Sequence, residues 1–149
     1  MDLTDTRVRI EWLVLADSAE VISNKLYMLG GGWEVYFRNG PMPVAFAIAA
    51  SFHVPWNATN LKHPFEVQVI NEDAQQKVMG IGGEFEVGRP PGLPAGSGQR
   101  TQLAVKVEGD LPPASYAVRC LVDGQEQTDR QLAFRVVAGP QYGQPAAPS

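Results

Sequence analysis

The sequence contains little cysteine and no long apolar run. Its single cysteine, Cys120, excludes an intramolecular disulfide and agrees with a reducing compartment. The longest strongly apolar stretch, Val44–Ala50, is too short to cross a bilayer, which takes roughly 20 residues. The apolar residues after Arg9 are interrupted by Glu11, unlike the core of a secretory signal. We therefore expect a cytoplasmic protein with no membrane span.

Basic residues are also few, and none of them form a run. Twelve Lys and Arg residues stand against sixteen Asp and Glu residues, which gives a formal net charge of −4. A surface of this sign repels polyanions. Neither nucleic acid nor an anionic membrane surface is therefore expected as a partner.

Histidine is scarce, and the usual catalytic motifs are missing. His53 and His63 are the only histidines, and neither belongs to a zinc-binding motif. The Gly80–Gly83 segment lacks the third glycine of a dinucleotide fingerprint, and residues 88–98 lack the Gly-Lys-Ser/Thr of a phosphate-binding loop. Cys120 lies on the apolar face of its strand, where a thiol behaves as a small hydrophobic group. We predict no enzyme, no metal and no cofactor.

What the sequence does have is alternation of apolar and polar residues between turns rich in its 15 glycines and 12 prolines. This pattern predicts strands at Val8–Leu15, Lys25–Leu29, Trp33–Phe37, Val44–Val54, Phe65–Val69, Lys77–Val87, Gln99–Glu108, Tyr116–Val122 and Leu132–Val136. For Ala16–Val21 we expect a helical turn or a bend. The fold predicted is a single-domain, all-β antiparallel sandwich of eight or nine strands, immunoglobulin-like or jelly-roll-like, over residues 8–137. Residues 1–7 are predicted to be an extension and residues 138–149 a flexible tail rich in Pro and Gly.

The strand Val44–Val54 has two uncharged faces. One face carries large apolar residues and is expected in the core. The other, which we call the alanine face, is expected to be closely covered by a loop, by the second sheet or by another subunit. Its candidate interface residues are Ala45, Ala47, Ala49 and Ser51.

A second surface hypothesis concerns the segment after this strand. His53, Trp56 and His63 combine aromatic and polar groups, as in surfaces on which sugars stack, and loop 88–98 would act as a lid. The alternative is that Trp56 closes the end of the sandwich. Farther along, Tyr116 follows a Leu-Pro-Pro turn, as in sandwiches where a tyrosine hydroxyl bonds back to the backbone.

Several short motifs together resemble a known family. These are Leu15–Ala19, then Asn24–Leu26 and Gly30–Gly31, and near the end Pro-x-x-Tyr, Val-Asp-Gly and Phe-x-Val. They are similar to motifs in a family of small bacterial proteins of unknown function, over residues 8–137. Asn24 replaces the usual glycine, which a left-handed turn tolerates. The resemblance implies a fold and a bacterial origin, and no activity.

The sequence thus favours a non-catalytic cytoplasmic β-sandwich that acts through protein contacts, as a homo-oligomer or as an accessory subunit. The alternative is a module that binds a small ligand or a carbohydrate.

Overall fold

The computed structural model describes residues 5–127 and 130–139, and there the alternating segments form strands. The strands are β1 (Arg9–Ile22), β2 (Lys25–Gly31), β3 (Val35–Arg38), β4 (Val44–Val54), β5 (Lys62–Asn71), β6 (Gln76–Glu86), β7 (Gln99–Gly109), β8 (Ala114–Val122), β9 (Gln125–Glu126) and β10 (Leu132–Ala138). One short 3₁₀ helix spans Trp56–Ala58. None of the helical structure in this part of the chain has the length and apolarity needed to span a bilayer. The all-β prediction is confirmed.

The strands form two sheets. One has the order β2-β1-β4-β7, and the other has the order β3-β10-β8-β5-β6, with β9 paired to β8. Neighbouring strands are antiparallel except β3 and β10, which run parallel with Val136 opposite Tyr36. The predicted hairpin through Asn71 is present as the β5–β6 pair. Two stacked sheets confirm the sandwich architecture.

Large apolar side chains from both sheets fill the space between them. Phe46 of β4 meets Phe134 of β10 edge to face, with ring centroids 5.7 Å apart, and Phe134 stacks on Tyr116 of β8. The Tyr116 hydroxyl donates a hydrogen bond to the Pro112 carbonyl at 2.5 Å. This bond ties the start of β8 to the turn before it, which is the structural role that the sequence predicts for this tyrosine.

One expected element is absent. The segment Ala16–Val21 is neither a helical turn nor a bend, because it continues β1 and pairs with β2, with Ala19 opposite Met28. A long strand satisfies its backbone groups along a whole hairpin, whereas a lone helical turn leaves most of them unpaired.

The last strand ends close to the predicted end of the domain. Strand β10 reaches Ala138, and the Gly139 N–H donates to the Arg38 carbonyl at 2.8 Å. The rest of the predicted tail, residues 140–149, lies outside the described residues, as do residues 1–4 of the predicted extension.

Candidate interaction surfaces

Most of the alanine face is covered within this one chain. Ala49 and Ser51 are fully buried, Ala47 is buried as well, and Ala45 is exposed. The expectation of a close cover is therefore met at three of the four candidate interface residues. Only Ala45 is accessible to another molecule.

The covering element is a hairpin formed by the second half of β1 and by β2. We call this hairpin, residues 17–31, the flap. Its turn has two residues with left-handed backbone, Ser23 (φ 51°) and Asn24 (φ 58°). The Asn24 side chain donates to the Arg100 carbonyl at 3.1 Å and accepts from the Gln102 N–H at 3.2 Å. Both of these groups belong to β7, so the turn reaches a strand on the far side of β4.

The pairing register of β1 with β4 requires the flap to fold back if its turn is to reach β7. Ala16 lies opposite Ala47, and a straight β1 would carry Asn24 about 26 Å past Ala47, away from Ser51. Yet Gln102, which Asn24 contacts, pairs with Ser51. The flap therefore crosses the outer surface of β4 diagonally. Small side chains on the alanine face let a hairpin backbone lie that close.

The fold-back begins at Asp17 and Gly30. Gly30 has a left-handed φ of 61°, and a Cβ atom there would lie 2.2 Å from Asp17 Oδ2. Beside it, the Gly32 N–H donates to the Leu15 carbonyl at 2.8 Å. The Ala-Asp and Gly-Gly motifs noted in the sequence are therefore the residues that bend the flap.

A polar cluster fixes β7 near the flap turn. The Ser51 hydroxyl donates to Glu11 Oε1 at 2.7 Å, and Arg100 donates from Nε to the same oxygen at 2.7 Å and from Nη2 to Oε2 at 3.1 Å. The hydrogen bond from Arg100 holds the pKa of the Glu11 carboxyl below its ordinary value. The cluster crosses three neighbouring strands, so it fixes the strand end on which the flap turn rests.

His63 is not part of an open surface. Its side chain is buried, Nε2 donates to the Ala58 carbonyl at 2.6 Å, and Nδ1 lies 2.9 Å from Asp123 Oδ2. The Phe85 ring packs on it at 5.5 Å. His63 joins the 3₁₀ turn, β5 and the turn after β8, which is a structural role.

Trp56 and His53 are both in contact with loop 88–98. The Arg89 guanidinium lies 3.8 Å from the centroid of the Trp56 ring and donates to the Trp56 carbonyl at 2.9 Å. At the other end of the loop, Gly98 lies so close to the His53 ring that a Cβ atom would be 2.3 Å from its Cε1. One face of Trp56 is therefore occupied by a cation, and the structure does not bring the three predicted ligand residues together on one open face.

An aromatic cleft that was not predicted from the sequence lies beside the bend of the flap. This open depression of about 550 Å³ is lined by Trp33, Tyr36, Phe37, Met42 and Asp17, among others. The Trp33 indole N–H is buried and has no hydrogen-bond partner among the described residues. Its volume falls within the range of small-molecule sites, but it is open, whereas such sites usually enclose most of the ligand. The sequence signal for this cleft is the group of aromatic residues at positions 33–37. From the alternation of apolar and polar residues, we predicted only a strand there.

A further missed feature is the exposed apolar surface of the flap. Leu29 is 73% exposed and Tyr27 54%, and Met28 and Ile22 are exposed as well. Tyr27 and Leu29 are two residues apart in β2 and share one face, whereas Met28 lies on the other. Exposed apolar residues that share a face often mark a binding site. The flap is thus one of the described surfaces whose composition fits a docking site.

Cys120 is buried in β8, and burial raises the pKa of its thiol to about 12. The thiol is therefore protonated near neutral pH, whereas a nucleophilic cysteine must be a thiolate. Within residues 5–127 and 130–139, no group of three or more His, Cys, Asp or Glu side chains is arranged to hold a metal ion.

Comparison with known families gives one result. The model of a family of unknown function, DUF6941, matches residues 11–136. A comparison with curated proteins finds no match.

Proposed function

The chain belongs to DUF6941, a family of unknown function, and we propose that it is a non-catalytic β-sandwich protein that acts through contacts with other polypeptide chains. The observation that carries this proposal is the flap, whose strand β2 lies at the edge of its sheet among the described residues and exposes Tyr27, Met28 and Leu29. Such an edge binds an added strand through main-chain hydrogen bonds, and its side chains add apolar contact.

The non-catalytic part of the proposal is supported by the state of the reactive side chains. The Cys120 thiol is buried and protonated, the Glu11 carboxylate is held by Arg100 and Ser51, and His63 is enclosed by its two partners. Glu11 and His63 thus join separate segments of the fold, and Cys120 packs in the core. We further propose a cytoplasmic location, which the unpaired Cys120 supports, and no nucleic-acid partner, which the net charge of −4 supports.

The test uses photo-cross-linking in living cells. A photoreactive amino acid is placed at Leu29, and in a separate variant at Leu61, which is exposed in the turn before β5 and serves as a matched apolar control. We expect covalent adducts with a polypeptide, which can be another copy of the chain, from position 29 and none from position 61. No adduct from position 29, or the same adducts from both positions, would contradict the proposal.

A second candidate is a ligand-binding module, favoured by the aromatic cleft. Trp33, Tyr36 and Phe37 supply aromatic surface, and Asp17 adds a carboxylate to the lining, a combination that suits a sugar or another polar ring. A glycan array with the wild type and with Phe37→Ala tests it, because Phe37 is 65% exposed and its loss leaves the core intact. Loss of a hit in Phe37→Ala but not in Trp56→Ala would locate binding in the cleft. The reverse pattern would favour the surface around His53, Trp56 and His63.

A further inference from the structure

The aromatic cleft is lined by residues of β3, of the start of β4 and of the bend of the flap. Trp33 and Tyr36 have ring centroids 5.7 Å apart and ring planes tilted by 56°. Both rings also pack on Phe46 of the core, with centroids 5.3 and 5.6 Å away. The Tyr36 hydroxyl accepts a hydrogen bond from the Ala45 N–H at 3.1 Å. These contacts fix both rings, so this part of the lining is formed before any ligand binds.

Among the described residues that line the cleft, Asp17 is the only charged one. Its carboxylate lies so close to Gly30 that a Cβ atom there would collide with Oδ2. No hydrogen bond or ion pair joins this carboxylate to another described residue. Arg38, the basic residue of β3, is engaged elsewhere, because Nη2 lies 2.6 Å from Asp110 Oδ1 and Nη1 donates to the Leu111 carbonyl. The cleft therefore carries a negative charge that no described residue neutralises.

We propose that this cleft binds an alkylated ammonium group, a cation whose charge is spread over its methyl groups. Aromatic rings attract such cations, and a carboxylate supplies the opposite charge. The methyl groups also suit the apolar part of the lining, which includes Val35 and Met42. A neutral ligand would cover the Asp17 carboxylate without compensating its charge, which is costly. This inference rests on the second candidate function and names the chemical class of its ligand.

Elsewhere the same chain supplies a cation to an aromatic ring from within. At Trp56, the Arg89 guanidinium lies 3.8 Å from the ring centroid. No described Lys or Arg side chain has a comparable position at Trp33, Tyr36 or Phe37. The ring of Trp56 is thus already occupied, whereas the cleft leaves this position to a ligand.

The probe is choline, and its matched control is the neutral dimethylbutanol of the same shape, in which carbon replaces the charged nitrogen. Each is titrated into isotope-labelled protein, and the indole N–H signal of Trp33 reports occupancy of the cleft. The indole signal of Trp56 is the internal reference, because Arg89 already covers that ring. We expect saturable shifts at Trp33 with choline and at least about fivefold weaker binding of the neutral analogue.

Two variants that each remove one carboxylate separate the site from the overall charge of the protein. Asp17→Asn removes the carboxylate of the cleft, whereas Glu20→Gln removes an exposed one from the same flap, outside this lining. We expect Asp17→Asn to weaken choline binding at least about fivefold and to leave the neutral analogue unaffected. Glu20→Gln should change neither. Phe37→Ala, at a side chain that is 65% exposed, should weaken choline binding about threefold.

A peptide that carries trimethyllysine distinguishes the two sources of such a cation, with the unmethylated peptide as its control. Tighter binding of the methylated peptide than of choline indicates a modified polypeptide, and equal or weaker binding indicates a free small cation. Three results overturn the inference. They are the lack of saturable shifts at Trp33 with either cation up to about 20 mM, equal affinity for choline and its neutral analogue, and equal weakening by Asp17→Asn and Glu20→Gln.

The tests of the proposed functions separate this failure from theirs. A glycan hit that Phe37→Ala abolishes, in a protein that does not bind choline, would mean that the cleft takes a neutral ligand. Adducts from position 29 report on the flap alone, so the protein-contact function stands or falls independently of the cation.

Discussion

Replacing Ala49 with leucine tests whether the flap lies on the alanine face. Ala49 is fully buried on the outer side of β4, beneath the flap, and its strand neighbours Val14 and Ala104 lie at the same level. Leucine adds three carbon atoms where no space is available. Overpacking of this kind costs about 1–3 kcal/mol. For a chain of this length each kcal/mol lowers the melting temperature by about 2–4 °C, so we expect a decrease of several degrees.

Ala45→Leu is the matched control, because Ala45 lies on the same face but is exposed. Its effect should stay within about 0.5 kcal/mol, as for most surface substitutions. Both variants are measured by urea unfolding, with hydrogen exchange at the amides of residues 17–31 as a local readout. If Ala49→Leu is as stable as Ala45→Leu and exchange in the flap is unchanged, the flap does not pack on Ala49 and the proposed path is wrong.

Three further outcomes follow from the geometry. Gly30→Ala should cost about 1–2 kcal/mol for its left-handed φ of +61°, and more for the contact of the new Cβ atom with Asp17, so it should cost more than Gly40→Ala, where φ is +57° but nothing lies within 4 Å; equal urea midpoints for the two would contradict a tight bend at the flap. Tyr116→Phe should cost about 1 kcal/mol through its lost hydrogen bond, with an unchanged urea m-value. The pKa of Glu11 is lowered by Arg100 from the ordinary value of 4.5, so the stability it contributes is present above that pH and is lost as the pH falls through the lowered pKa. The stability difference between wild type and Glu11→Gln should therefore shrink in acid, and a difference that grows below pH 4.5 would refute this.

The strand pattern could be predicted where alternation is strong. The bounds of Val44–Val54 are those of β4, because large and small side chains alternate there without interruption. The segment Ala16–Val21 lacks that contrast, and its strand state depends on pairing with β2. Local patterns carry no information about such a partner, so the prediction for this segment was wrong.

The candidate surfaces were harder to predict, because distant contacts decide them. The alanine face correctly signalled a close cover. Its identity depends on Asn24 meeting Arg100, 76 residues away in the sequence. In the same way, His63 is buried through Asp123, 60 residues away, and Trp56 is covered by Arg89. No local sequence pattern indicates these contacts, whereas the glycines that bend the flap form a local motif.

The fold-back of the flap also constrains the order in which the chain becomes native. The surface that receives residues 17–31 does not exist until β4 and β7 have joined, and the contacts of Asn24 with β7 close loops of more than 70 residues. Closing such loops early is entropically expensive. The first hairpin in the sequence is therefore expected to dock late, and kinetic φ-values at Val21 and Leu26 should be near zero while those at Ile48 are high.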